Sequence, residues 1–137
     1  MKTTKPLYRL ALLSPFVLIM VKNLSAQNLV PNPDFEVFTA CPSWISEYAN
    51  ATPWDIPPGS ITTPDYYNSC NVSGCSVDVP INFVGSSSAY SGVAYMGILV
   101  CYPAGPPDTR EYLQAPLTSS LVGGTTYDVT FYAKRPS

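Results

Sequence analysis

From residue 27 onward, apolar and polar positions alternate over short stretches, and no window longer than a turn or two carries helical periodicity. The clearest alternation runs from Thr125 to Lys134. Tyr127, Val129, Phe131 and Ala133 fall on one face there, and Asp128, Thr130, Tyr132 and Lys134 on the other. A period of two predicts a half-buried strand, and Gly123-Gly124 supplies a turn ahead of it. Further strands are predicted at Phe35 to Thr39, Val93 to Val100 and Arg110 to Gln114. Turn-forming clusters at Pro57-Pro58-Gly59, Gly85 to Ser88 and Pro103 to Pro107 lie between them. Short strands punctuated by Pro and Gly predict an all-β fold, an antiparallel β-sandwich.

The first 26 residues follow a different pattern. Lys2, Lys5 and Arg9 precede an apolar run from Leu10 to Val21 broken only by Ser14 and Pro15, and Leu24-Ser25-Ala26 follows it. A basic start, a 12-residue apolar run and small residues at its end describe a signal peptide cleaved after Ala26. The run is too short for a membrane-spanning helix, which needs about 20 residues, and no other stretch could span a membrane. The expected product is an exported chain, secreted or held at the cell surface or outer membrane, with residues 27–137 as one module.

Export changes the charge balance. Only Arg110, Lys134 and Arg135 remain as bases against nine acids, a net charge of −6. Such a surface disfavours nucleic acid and anionic lipid, and it leaves neutral partners, such as a glycan or a cell-envelope component. The chain contains no His, which removes Ser-His-Asp and Cys-His catalysis and His-ligated zinc or haem. A glycosidase needs two carboxylates facing each other across a cleft, and the spacing of the nine acids singles out no such pair. The chain reads as a non-catalytic protein.

All four cysteines, Cys41, Cys70, Cys75 and Cys101, fall in the exported part, where disulfides form. Pairing Cys70 with Cys75 would close only a short loop, which leaves Cys41–Cys70 with Cys75–Cys101, the preferred pattern, or the crossed one. The segment from Ala51 to Pro80 lacks alternation and is rich in Pro, Asn, Ser and Asp. It also holds Trp54, Tyr66, Tyr67 and two cysteines, a composition foreign to disordered linkers. It is expected to be a long ordered loop within a stapled region spanning about 41–101.

The opening Asn28-Leu29-Val30-Pro31-Asn32-Pro33-Asp34-Phe35-Glu36 resembles the first strand of jelly-roll, galactose-binding-like carbohydrate-binding modules of the CenC-like kind. Ser91-Gly92, Gln114 and Leu117 through Phe131 match that family's later motifs in order and spacing. A nearer resemblance is to N-terminal modules of exported surface proteins from gliding, type IX-secreting Gram-negative bacteria. It is carried by Cys41-Pro42, Pro53-Trp54, Thr63 to Asn68 with Cys70, Val79 to Gly85, Ser91 to Gly97 and Arg110 to Gln114. Such jelly rolls continue for several strands past the Tyr-x-Val-x-Phe strand, so the resemblance implies a domain incomplete at its C-terminus, placed ahead of a larger protein. It also implies a structural calcium near the first strand, with Glu36 and Asp34 as the matching donors, although calcium takes about 6–8 oxygen ligands and no dense acidic loop is present.

Aromatic side chains supply the candidate binding residues. Sugar rings stack their C–H faces on flat aromatic faces, and Trp44, Trp54, Tyr66, Tyr67, Tyr102, Tyr112 and Tyr132 could form such a platform. Trp54 and Tyr112 lie inside motif segments and suit packing, while Trp44 and Tyr102 stand beside cysteines and suit contact. Two readings follow: a non-catalytic surface or envelope module for adhesion, display or interaction, and a carbohydrate-binding module that stacks a neutral glycan on Trp44, Trp54, Tyr66 and Tyr102.

Overall fold

The computed structural model describes residues 27–71, 74–101, 105–106 and 109–135; the leader expected at 1–26 lies outside them. Four short strands, β1 (Asp65–Asn68), β2 (Ile81–Asn82), β3 (Gly85–Ser86) and β4 (Ala94–Gly97), follow one 3-10 turn at Tyr48–Asn50. They form two antiparallel pairs, β1 with β4 and β2 with β3. The described part is all-β in its regular structure, but it consists of two small sheets and irregular chain rather than a closed sandwich.

The β1–β4 ladder organises the rest. Its register places Tyr66 opposite Met96, Tyr67 opposite Tyr95 and Asn68 opposite Ala94. Because side chains alternate across a strand, Tyr66, Asn68, Ala94 and Met96 share one face. Tyr66 and Ala94 pack there with Ala51, and Phe35, Trp54 and Met96 close around them. The Tyr66 hydroxyl donates to the Phe35 carbonyl (2.8 Å) and accepts from Asn68 Nδ2 (2.7 Å), so this buried phenol is fully bonded.

On the opposite face, Tyr67 stacks on its cross-strand partner Tyr95 (centroids 4.8 Å apart, 16° between planes) and on Phe83 (6.4 Å). Cross-strand aromatic pairs of this kind are a principal source of sheet stability. Gly97 makes the arrangement possible, since a Cβ there would lie 2.7 Å from the Tyr67 ring. Phe83 reaches the column from the two-residue turn of the β2–β3 hairpin, where Gly85 has φ 130°, a conformation for which glycine is the natural residue. The hairpin is anchored by Ser87 N–H to the Pro80 carbonyl (2.7 Å) and by Phe83 N–H to the Ser76 carbonyl (3.1 Å).

Several predicted strands take other forms. Phe35 to Thr39 is irregular chain leaving a turn at Asn32–Phe35: Asn32 Oδ1 accepts from Val37 N–H (2.9 Å) while its Nδ2 donates to the Val37 and Thr52 carbonyls, and Phe35 adopts φ 62°. That side chain supplies the hydrogen bonds a neighbouring strand would have supplied. Arg110 to Gln114 contributes one isolated antiparallel bridge, Gln114 to Asp55. Thr125 to Lys134 forms no ladder with any described strand and is exposed, with Val129 and Phe131 at 87% and 80%. An alternating pattern specifies a face but does not provide a partner, and among the described residues no partner edge lies along this segment. Conversely, the stretch read as a long loop from Ala51 to Pro80 contains β1, the most buried strand. Of the predicted strands, Val93 to Val100 is found as β4.

Candidate functional site

The cysteine region is held as the preferred pairing requires on one side. Cys41 and Cys70 are joined, with their Cα atoms 5.9 Å apart, and Asn71 Nδ2 donates to the Pro42 carbonyl beside the bridge. Cys75 and Cys101 are free thiols, so the second pairing, Cys75–Cys101, is corrected. The ladder explains this. Cys75 leaves from the Asn68 end of β1, where Asn68 N–H bonds the Val77 carbonyl. Cys101 leaves from the opposite end, beyond Gly97, where Leu99 is bonded to Glu111 and Glu111 to Thr63. A four-residue ladder separates its ends by about 10 Å, beyond the roughly 7 Å that a disulfide tolerates between Cα atoms.

Beside the bridge lies an open cleft of about 370 Å³ lined by Ser69, Asn71, Gly74, Asp78, Val79, Pro80 and Ile81. Its floor is made by local side-chain bonding. Asp78 Oδ2 accepts from Gly74 N–H (3.1 Å) and Oδ1 from Val79 N–H (2.7 Å), which folds the chain around the carboxylate. Each of those oxygens keeps a second lone pair for a hydroxyl donor. Ser69, Asn71 and Asp78 provide polar contacts, Val79, Pro80 and Ile81 an apolar wall, and among the described residues no cationic side chain lines the cleft. That combination suits a small neutral polyhydroxylated ligand.

The aromatic candidates separate by environment. Trp44 is 61% exposed, and it is three residues from Cys41, on the segment that the disulfide and Asn71 tie to the cleft wall. Trp54 is half-buried; its ring packs against Phe35 (5.1 Å) and its indole N–H donates to the Asn32 carbonyl (2.9 Å). Tyr66 is completely buried, so its assignment to a binding platform is corrected: its ring and hydroxyl belong to the core. Tyr102 lies outside the described residues. Sequence reasoning missed the cleft residues Asn71, Asp78 and Ile81; the signal for them was turn chemistry, an Asp followed two residues later by Pro and four later by Asn.

The calcium assignment does not fit the donor geometry. Asp34 is exposed. Glu36 Oε1 accepts from Val93 N–H (2.7 Å) and Ala94 N–H (3.0 Å), so this oxygen faces two partial positive charges that would repel a cation. Among the described residues no three acidic or cysteine side chains gather into a cluster able to hold a metal.

Glu36 is one of a set. Glu47 accepts from Ser43 N–H (2.7 Å) and Ser43 Oγ (3.0 Å). Asp55 accepts from Ile56 N–H (2.8 Å), Asp65 from Ser46 N–H (2.8 Å), and Glu111 from Leu99 N–H (2.8 Å) and Thr63 N–H (3.3 Å). With Asp78, six of the eight acids among the described residues bind main-chain amides. Burial raises the Asp65 carboxyl above the ordinary carboxylate range, against the lowering effect of Ser46 N–H. Burial likewise raises the phenols of Tyr66, Tyr67 and Tyr95, so all three stay protonated and act as neutral hydrogen-bonding groups.

Compared with protein-family models, with curated proteins and with solved structures, the chain matches none. Among the described residues no helix is long and apolar enough to cross a membrane.

Proposed function

We propose that this chain is a non-catalytic exported module that serves adhesion, display or interaction at the cell surface or envelope, at the N-terminus of a larger protein. The observation that carries the reading is the use of the carboxylates. Glu36, Glu47, Asp55, Asp65, Asp78 and Glu111 each accept main-chain hydrogen bonds, so these carboxylates serve as acceptors for the chain's own amides. The β1–β4 ladder with its two flanking layers is, in this reading, the nucleus of an antiparallel sandwich of the jelly-roll kind. Binding of the purified chain to outer-membrane and peptidoglycan fractions, with parallel assays for hydrolysis of glycans and peptides, tests it. Retention without turnover is the expected result, and turnover abolished by changing a single carboxylate overturns it.

The carbohydrate-binding reading is favoured by one specific observation, the polar cleft lined by Ser69, Asn71 and Asp78, with the exposed Trp44 on the segment tied to its wall. A neutral-glycan array probed with the chain and with Trp44→Ala distinguishes the two. Glycan retention lost in that variant selects the carbohydrate reading, and its absence leaves the surface module without a sugar ligand.

A further inference from the structure

Tyr90 lies in the segment that leads into β4, and Tyr132 in the extended segment 125–135. Their rings stack face to face, with centroids 3.4 Å apart and planes 14° from parallel. Both are open to solvent, at 71% and 64%. The neighbouring Tyr132 phenol holds the Tyr90 phenol above its ordinary range. The other described tyrosine–tyrosine contact, Tyr67 with Tyr95, differs in one decisive respect: Tyr67 is buried. Tyr90 and Tyr132 therefore combine access from solvent with the contact that ring coupling requires.

We propose that Tyr90 and Tyr132 form an oxidative cross-linking site, at which a one-electron oxidant of the peroxidase class, fed by hydrogen peroxide, joins the two rings as dityrosine. Each phenol gives up one electron to the oxidant and one proton to water, leaving two phenoxyl radicals in contact. The radicals pair through the ring carbons ortho to the hydroxyls, forming one carbon–carbon bond. The hydrogens on those carbons then move to the phenolic oxygens and restore both aromatic rings. The two electrons and two protons removed reduce one hydrogen peroxide to two waters. The product ties segment 125–135, which forms no ladder with the described strands, covalently to the chain leading into β4.

The test uses the full chain, dilute, with a haem peroxidase and limiting hydrogen peroxide, followed by proteolysis and mass spectrometry. The expected product is monomeric, shows dityrosine fluorescence, and yields a linked peptide containing Tyr90 and Tyr132 that is two hydrogens lighter than its parts. Tyr90→Phe and Tyr132→Phe keep a stacked ring but remove a phenol, and each should abolish that peptide, while Tyr127→Phe should leave its yield unchanged. Urea midpoints measured on all three variants establish that they retain the fold of the parent. Dityrosine formed only between chains, or monomeric dityrosine that persists in Tyr90→Phe, overturns the proposal.

Discussion

Gly92 and Glu36 form a latch whose energetics can be worked through. Gly92 has φ 64°, and a Cβ placed on it would lie 2.1 Å from Glu36 Oε1, the oxygen that accepts from Val93 and Ala94 N–H. Gly92→Ala therefore acts twice. The left-handed backbone costs an ordinary residue about 1–2 kcal/mol, and the methyl group expels the carboxylate from two charge-assisted hydrogen bonds. Such bonds contribute about 1.5–3 kcal/mol each when buried; at this half-exposed position about 2–3 kcal/mol for the pair is appropriate. The sum is about 3–5 kcal/mol for Gly92→Ala and about 2–3 kcal/mol for Glu36→Ala. Once the carboxylate is gone, the added methyl group loses its three nearest neighbours, all atoms of Glu36, so the double variant should be no less stable than Gly92→Ala alone. Urea unfolding followed by tryptophan fluorescence, with a stabilising osmolyte to keep all four proteins folded, closes the cycle. A coupling of about 2–3 kcal/mol is expected. Strict additivity would show that the Cβ and the carboxylate do not compete, and would refute the latch.

Three other outcomes are expected. Thiol titration of the unfolded but unreduced chain should find two thiols, those of Cys75 and Cys101, and breaking Cys41–Cys70 should cost about 3.5 kcal/mol through its loop of 29 residues; no titratable thiol would mean that the second bridge exists. Because burial raises the folded-state carboxyl of Asp65, its contribution is greatest below the unfolded pKa near 3.8 and is lost as pH rises through the raised value. The melting temperature of the parent relative to Asp65→Asn should fall over that interval, and a constant difference would contradict it. Trp54→Ala should cost about 3 kcal/mol in urea unfolding, while Trp44→Ala, at an exposed position, should stay within about 0.5 kcal/mol; equal losses would place both rings in the core.

What the sequence reveals here depends on how local each feature is. β4 was legible because its apolar run is compact, and the Cys41–Cys70 pairing because the alternatives were few. β1 was not, for two reasons. Tyr66, Tyr67 and Asn68 are buried on both faces, so no alternation marks them, and the strand partner lies some thirty residues away at Ala94–Gly97. The opposite error occurred at Thr125 to Lys134, where a clear alternation met no partner edge. Trp54, inside a motif segment, and Trp44, beside a cysteine, were separable in the sequence as packing and contact residues, but the Asn32 carbonyl and the Phe35 ring that hold Trp54 were not.

The acids show most clearly why the candidate site resisted reading. Nine scattered carboxylates single out neither a catalytic pair nor a dense cation-binding loop in the sequence, and their use follows from a shortage elsewhere. Four strands of two to four residues among the described residues leave many of their amides without ladder partners, and buried backbone amides must find acceptors. Glu36 at Val93 and Ala94, Glu111 at Leu99 and Thr63, and Asp78 at Gly74 and Val79 supply them, as Asn32 and Asn82 do in neighbouring turns. A carboxylate so held is already oriented by two N–H groups and is poorly suited to gather a cation. It can still accept a hydroxyl, and among these acids Asp78 alone lines the cleft. The polar composition thus serves first as the hydrogen-bonding framework of the fold, and binding has to be sought where that framework leaves a lone pair facing solvent.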